Sequence, residues 1–449
     1  MSRRRRRKLQ DAPVEIHIES LTHEGRGLAH VDGKTVFVDG ALPGETVMAR
    51  YVNCRRNYDE LTTTELVSAP APERVTPPCP HYERCGGCSL QHLAPEAQIE
   101  HKQSVLAELF GRIGHLERPE MAAPIRSRDL GYRTKARLGV RYVRARDEVL
   151  VGFRERHSNF LTAIDRCPVL IEAVGERIEA LKALFRSLEA YDSIPQVEVA
   201  AGDDAVALVV RHLKPLSQTD TEALEAFGEQ TGLQIWLQPK GPDTVHRLWP
   251  VSDEAPRLHY SGDGGAVTYA FHPLDFTQVN REVNAAMLAQ ALDWLDLRDT
   301  DTVLDLFCGL GNFTLPLARR AGHVTGVEGV QMMVDRGYEN ARANGLENVT
   351  FCAADLHSAL DARAGWIKGY DKVLLDPPRS GAELMCREMH RFNPGVIVYV
   401  SCNPATLARD AGILAEQGYR LVRAGVMDMF PHTGHVESMA LFRRADREE

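Results

Sequence analysis

The sequence predicts a multidomain chain: an N-terminal OB-like β-barrel, a central α+β region and a C-terminal α/β domain of Rossmann-like layout. Residues 14–67 alternate apolar and polar side chains as short strands do, with no helical period. A Pro-rich stretch and three closely spaced cysteines, CPHYERCGGC at 79–88, open a second region. From Asp275 onward apolar strands alternate with helical segments, the pattern of a parallel sheet covered by helices.

In chain order, residues 1–11 form a basic arm containing Arg3 to Arg7 and Lys8, expected to be disordered. It has no apolar segment behind it and is not a secretory signal. The barrel is expected over 12–70, with strands at Val14–Ile18, Thr35–Val38, Thr46–Val52 and Leu61–Val67 separated by Asp32-Gly33 and Pro43-Gly44 turns. The central region, 75–270, has a helical stretch around 98–110, inside a segment 95–120 able to pack on the C-terminal domain. A second helical pattern covers Glu172–Leu188. The C-terminal domain, 271–449, begins with a helix at 281–297. Strands Thr302–Leu306, His323–Val327, Val349–Phe351, Lys372–Leu375 and Val396–Val400 follow, with helices at 312–320 and 331–344.

With 449 residues, 44% apolar and 26% charged, the composition fits globular domains with substantial cores. No apolar run approaches the roughly 18 residues of a membrane helix, so a cytoplasmic monomer without membrane contact is expected. Nine cysteines in such a chain favour metal or catalytic roles over disulfides. The net charge of −9 averages over opposite regions. Between Arg126 and Arg156 ten Lys/Arg stand against four acids, and a local basic surface matters more for phosphate binding than the sum.

VLDLFCGLGNFTLPLA (303–318) reads as strand, tight glycine turn and helix start, with Gly309 and Gly311 allowing close backbone approach to a ligand. A dinucleotide fingerprint needs a third glycine at 314, which is Thr314, so a nicotinamide reading loses ground. Glu328 ends the next strand, where an acid can hold ribose hydroxyls, and Asp355 ends the third, placed for an adenine amino group. This pattern resembles the S-adenosylmethionine (SAM) methyltransferase fold. Asp376-Pro377-Pro378-Arg379 ends the fourth strand. Arg379 stands where amino-directed methyltransferases carry a stacking aromatic, which argues against an exocyclic nitrogen as acceptor.

The fifth strand delivers Cys402 to the same rim and is stopped by Asn403-Pro404. C5 of uracil is a poor nucleophile until something adds to C6, and a thiolate suits that task. A base must then remove the C5 proton, and Glu437 precedes a further strand-like run, Ser438–Phe442. Alone, either residue has a bland reading: a small buried hydrophobe or a solvated acid.

Taken together, FTQVN (276–280), LDLFCGLGNFTLPLA, DPPRSG (376–381), SCNPATLARD (401–410) and HVESMALF resemble the RNA uracil-C5 methyltransferases along essentially the whole chain. The resemblance implies Cys402 as nucleophile and Glu437 as base. It implies SAM contacts from Gln278, Phe307, Asn312, Glu328, Asp355 and Asp376, with Asp376 also orienting the uracil edge.

Cys79, Cys85 and Cys88 are grouped, with 78 residues between Cys88 and Cys167. Four thiolates suit zinc or an iron–sulfur cluster, and three grouped cysteines with a distant Cys-Pro are closer to iron–sulfur usage. The resemblance implies a [4Fe–4S] cluster that organises the central domain. The barrel is similar to TRAM domains. Within the family this combination points to enzymes forming 5-methyluridine in 23S rRNA, on a single-stranded or loop region with a flipped uridine. The same chemistry on tRNA or on more than one rRNA site is the alternative. A metal-stabilised RNA-binding protein without activity is the distant one.

Overall fold

The computed structural model describes residues 12–252, 256–361 and 363–445; the basic arm, 1–11, lies outside them. Among the described residues no helix is long and apolar enough to cross a membrane.

Six strands form the N-terminal sheet, in the spatial order Val14–His17, Thr46–Cys54, Tyr58–Leu66, Lys34–Asp39, Gly27–Val31, Ser20–Leu21. They enclose Ile16, Ile18, Val36, Val38, Val47 and Leu61, the inward side of the alternation. Two strands, Ser20–Leu21 and Gly27–Val31, escape the sequence pattern: the first has only two residues, and the second, GLAHV, has no regular apolar–polar alternation.

The central sheet is mixed, ordered His246–Trp249, Gln234–Gln238, Val206–Arg211, Gln196–Ala201, Lys135–Val143, Glu148–Gly152. Helices Ile178–Ser187 and Gln218–Thr231 share its apolar core. The expected single helix at 172–188 is broken into Glu172–Gly175 and Ile178–Ser187. Gly175 lies against the Cys167 loop: its carbonyl accepts from Cys167 N at 2.9 Å, and a Cβ there would stand 2.4 Å from the Cys167 oxygen.

The C-terminal sheet runs Val349–Ala353, His323–Glu328, Thr302–Leu306, Lys372–Leu375, Val396–Ser401, Glu437–Arg444, Tyr419–Met427, Glu120–Met121. Its first five strands are parallel, and Glu437–Arg444 is inserted antiparallel between Val396–Ser401 and Tyr419–Met427. The order reverses between Thr302–Leu306 and Lys372–Leu375, which opens a crevice at the carboxyl ends of the strands. The helix expected at 312–320 is only Thr314–Ala318, and that at 281–297 ends at Leu295.

Two segments from the central region attach here. Helix Pro95–Arg112 buries Val105, Leu106, Leu109 and Phe110 in the same core as Tyr399, Leu407 and Val426. Hairpin Leu258–Gly262/Val267–Phe271 stacks Tyr260 on Tyr269, and the Tyr269 hydroxyl donates to the Asn312 carbonyl at 2.7 Å. The sequence shows composition changing at Asp275; it does not show which sheet a hairpin faces.

The basic strip is not one free patch. Arg126, Arg128, Arg137 and Arg146 pair with Glu96, Glu282, Glu198 and Glu148. The guanidinium of Arg156 instead donates to the Tyr82 and Cys88 carbonyls at 3.1 and 2.9 Å.

Candidate active site

The glycine turn closes the first strand of the crevice. Phe307 (φ +65°) and Gly311 (φ +97°) hold left-handed backbone, and Phe307 and Cys308 donate to the Val327 carbonyl at 2.9 and 3.1 Å. The Glu328 carboxylate accepts from Gly309 N and Val330 N, both at 3.1 Å, so it braces the loop. Space lies open in front of Gly309. Asp355 is exposed; its carboxylate accepts from Ser358 Oγ at 2.5 Å and His357 N at 2.9 Å, which holds its pKa below the usual range. The Phe307 and His357 rings lie 5.6 Å apart beside it. Gln278 is half-buried in the loop between the hairpin and helix Arg281–Leu295. Thr134 fixes that loop, donating from N and Oγ1 to the Val279 carbonyl at 2.9 Å.

Asn312 is differently employed. Its side chain exchanges hydrogen bonds with Asn284 at 3.0 and 3.2 Å and accepts from the Tyr260 hydroxyl at 3.2 Å. That network ties turn, hairpin and helix together. Asp305 lies at the base of this turn, and no motif marks it in the sequence. It is fully buried; one carboxyl oxygen accepts from Thr314 Oγ1 at 2.6 Å and the other has no partner among the described residues. Burial raises its pKa to about 8, so the carboxyl is largely neutral at pH 7. The available signal was an acid inside the apolar run VLDLF. Open space at Gly309 and the acids Glu328, Asp355 and Asp376 at or just beyond the ends of three strands fit a cationic nucleoside ligand.

Cys402 and Glu437 come together through strand register. Val396–Ser401 pairs antiparallel with Glu437–Arg444 down to Ser401↔Ser438, so the next rung sets 402 opposite 437. Asp376 follows Leu375 on the neighbouring parallel strand. All three side chains are half-buried. Burial, then the charges of Glu437 and Asp376, push the Cys402 thiol up to about 12, and Arg379 opposes them. Burial and Asp376 raise Glu437 to about 8; burial raises Asp376 to about 7. Carboxyls that ionise near neutrality can exchange protons in either direction at working pH.

The motifs around this group are fastened to one another. Asn403 caps helix Pro404–Glu416 by accepting from Ala405 N at 3.1 Å, and its amide donates to the Arg379 carbonyl at 3.0 Å. Buried Asp410 accepts from Ala382 N and from the Tyr399 hydroxyl, both at 2.7 Å. Gly381 (φ +77°) passes so near that a Cβ would stand 2.7 Å from the Asp410 carboxylate. SCNPATLARD therefore sets the path of DPPRSG.

A cleft runs over Cys402, Asn403 and Arg379, and its lining includes Arg156 and three residues from the barrel, His23, Glu24 and Arg26. Sequence reasoning did not foresee the barrel's place there, because nothing local signals a contact across nearly the whole chain.

Cys79, Cys85, Cys88 and Cys167 line one small cavity with Tyr82, Phe153 and Val169. Burial first, with the other thiols adding, pushes Cys88 up to about 12 and Cys167 to about 11. Among the described residues no group of three or more His, Cys, Asp or Glu is arranged to hold a metal ion; the expected metal ligands Cys79, Cys85, Cys88 and Cys167 share this cavity wall, and their side chains as placed do not have a metal-ligand arrangement. The donor set, four thiols and no carboxylate on the cavity wall, does fit a thiophilic group.

The family described as tRNA (Uracil-5-)-methyltransferase matches residues 94–445, and the TRAM domain matches 12–58. The 23S rRNA (uracil(1939)-C(5))-methyltransferase RlmD of Hahella chejuensis is 62% identical over 98% of this chain and 100% of its own length. The enzyme of the same name from Alcanivorax borkumensis is 54% identical, over 98% and 99%. The crystal structure of Pyrococcus abyssi tRNA (uracil-54, C5)-methyltransferase with S-adenosyl-L-homocysteine shares the fold, with TM-score 0.74 and 24% identity over 96% of this chain and 100% of that one.

Proposed function

Since the chain belongs to the tRNA (uracil-5-)-methyltransferase family, we propose that it transfers a methyl group from SAM to C5 of a uridine in 23S rRNA. The observation that carries this reading is the rung that sets Cys402 beside Glu437 next to Asp376. The relatives at 62% and 54% identity, named for 23S rRNA, support that RNA over tRNA.

Bound SAM supplies an electrophilic methyl group on a sulfonium. Gln278, Phe307, Glu328, Asp355 and Asp376 hold it, and Asn312 acts through the turn it braces. Asp376, ionising at about 7, suits the imide edge of uracil. As a neutral acid it donates to O4 and accepts from N3–H, which also steadies the charge that grows on O4. The Cys402 sulfur adds to C6 and the C5–C6 π pair moves to C5. C5 takes the methyl as the sulfonium S–CH3 bond breaks and its electron pair returns to sulfur, leaving the neutral thioether. The Glu437 carboxylate then removes the C5 proton, that C–H pair re-forms the C5–C6 double bond, and the C6–S bond breaks to return the thiolate. The resting thiol is protonated; each negative neighbour neutralised on docking lowers its pKa, and Arg379 works in the same direction.

Glu437 must be ionised to accept the proton, and its pKa is raised, so its competent fraction grows as pH climbs through about 8. Single-turnover product release should rise roughly tenfold per unit on the acid side and flatten above it. A flat profile between about pH 6 and 9 would rule out this assignment. Labelled methyl transfer to unmodified 23S rRNA, followed by mapping of 5-methyluridine, tests the reaction and substrate together.

The uridine is taken from a loop or flipped, because C5 inside a stem is out of reach of both faces of this chemistry. His23 and Arg379, both on the lining of the cleft, suit the flanking backbone. Cys79, Cys85, Cys88 and Cys167 hold a [4Fe–4S] cluster, whose part is to join the 79–88 loop to the Cys167 loop. Protein purified without oxygen should be brown, with about four irons and four sulfides per chain. A colourless product with stoichiometric zinc would contradict this, and stripping the iron should lower thermal stability.

A further inference from the structure

We propose that Ser89 is a positioning residue for Glu437, acting through the segment 428–436; the proposal rests on the reading of Glu437 as the base. That segment joins strand Tyr419–Met427 to strand Glu437–Arg444 without helix or strand of its own. It contains His432, buried and at φ +66°, a left-handed conformation that a non-glycine residue keeps only when its surroundings fix it.

Those surroundings come largely from the cysteine loop and the helix behind it. Ser89 N and Leu90 N both donate to the His432 carbonyl at 2.9 Å. Gln98 Oε1 accepts from His432 N at 2.9 Å, and the Gln98 amide donates to His432 Nδ1 at 3.3 Å. The fully buried Lys102 ammonium pairs with Asp428 at 2.7 Å and donates to the Phe430 carbonyl at 3.3 Å. Ser89 Oγ accepts from Gly434 N at 3.0 Å, three residues before the base. On its other side Gly434 abuts the barrel: a Cβ there would stand 2.3 Å from the Glu24 carbonyl oxygen. The segment is held between two walls, and the Ser89 hydroxyl is a side-chain bond from the cysteine loop that one small substitution removes with little void. Cys88 is the preceding residue, so the thiol cavity and the base share one short run of chain.

The test compares Ser89→Ala, Ser89→Thr and wild type, with Glu437→Gln as the reference that traps covalent protein–RNA adduct. Ser89→Ala should lower kcat about fivefold to tenfold, the scale of one hydrogen bond, with the KM for RNA unchanged. Adduct should accumulate, and Ser89→Thr should restore both rate and adduct level. Hydrogen exchange at Gly434 and His435, measured without RNA, should be faster in Ser89→Ala. A loss carried by KM, a kcat loss without adduct, or unchanged kcat and exchange each overturns the proposal. If Glu437→Gln itself gives no adduct while Ser89→Ala still loosens the segment, the base assignment has failed, and with it the proposal.

Discussion

Cys402→Ala is expected to lose methyl transfer by roughly 10⁴-fold or more, as removal of a nucleophile from a concerted set does, while the Kd for RNA changes by less than about threefold. The asymmetry follows from what the side chain does. The cleft wall of His23, Arg26, Arg156 and Arg379 carries charge and area, and one half-buried thiol adds little to either. Without the sulfur, however, C5 never acquires the electron density to attack a methyl group. The variant should fold normally, because Ser401 and Asn403 keep their own bonds, Ser401 Oγ to the Asn403 carbonyl at 3.0 Å and Asn403 Oδ1 to the helix start. Filter binding and labelled-methyl transfer on one RNA preparation read both quantities. Turnover near the wild-type rate would remove Cys402 from the chemistry.

What the sequence disclosed, and what it withheld, divides along the range of the interactions. Cys402 was legible because an apolar strand that ends in a thiol and an Asn-Pro stop is a local oddity. The acids at the strand ends were legible because a parallel α/β sheet exposes its carboxyl edge. That Cys402 and Glu437 share a rung was not written locally: it depends on Glu437–Arg444 inserting between two strands that precede it in the chain. Asp305 is not legible locally, because a buried acid in a strand reads as an interruption until its partner Thr314 is placed beside it. Asn312 sat in the right motif, yet Asn284 and Tyr260, which occupy its amide, lie 28 and 52 residues away. Nor can spacing alone show that the barrel loop at His23–Arg26 lines the same cleft as Arg379.

Glu437→Gln separates the two halves of the reaction and should do so visibly. Glutamine keeps the shape of glutamate but cannot take a proton, so addition at C6 and methylation of C5 proceed and elimination does not. The substitution even favours the first half: Glu437 is the largest charge holding the Cys402 thiol up, and removing it lowers that pKa. Steady turnover should fall about 10²- to 10⁴-fold, the usual share of general-base catalysis, while most of the enzyme collects as an adduct that survives denaturing electrophoresis. The trap needs SAM, because without methylation the addition simply reverses, and it must vanish in the Cys402→Ala/Glu437→Gln double variant. Loss of turnover with no SAM-dependent adduct would mean that the carboxylate serves an earlier step, such as seating the uracil, and that another group takes the C5 proton.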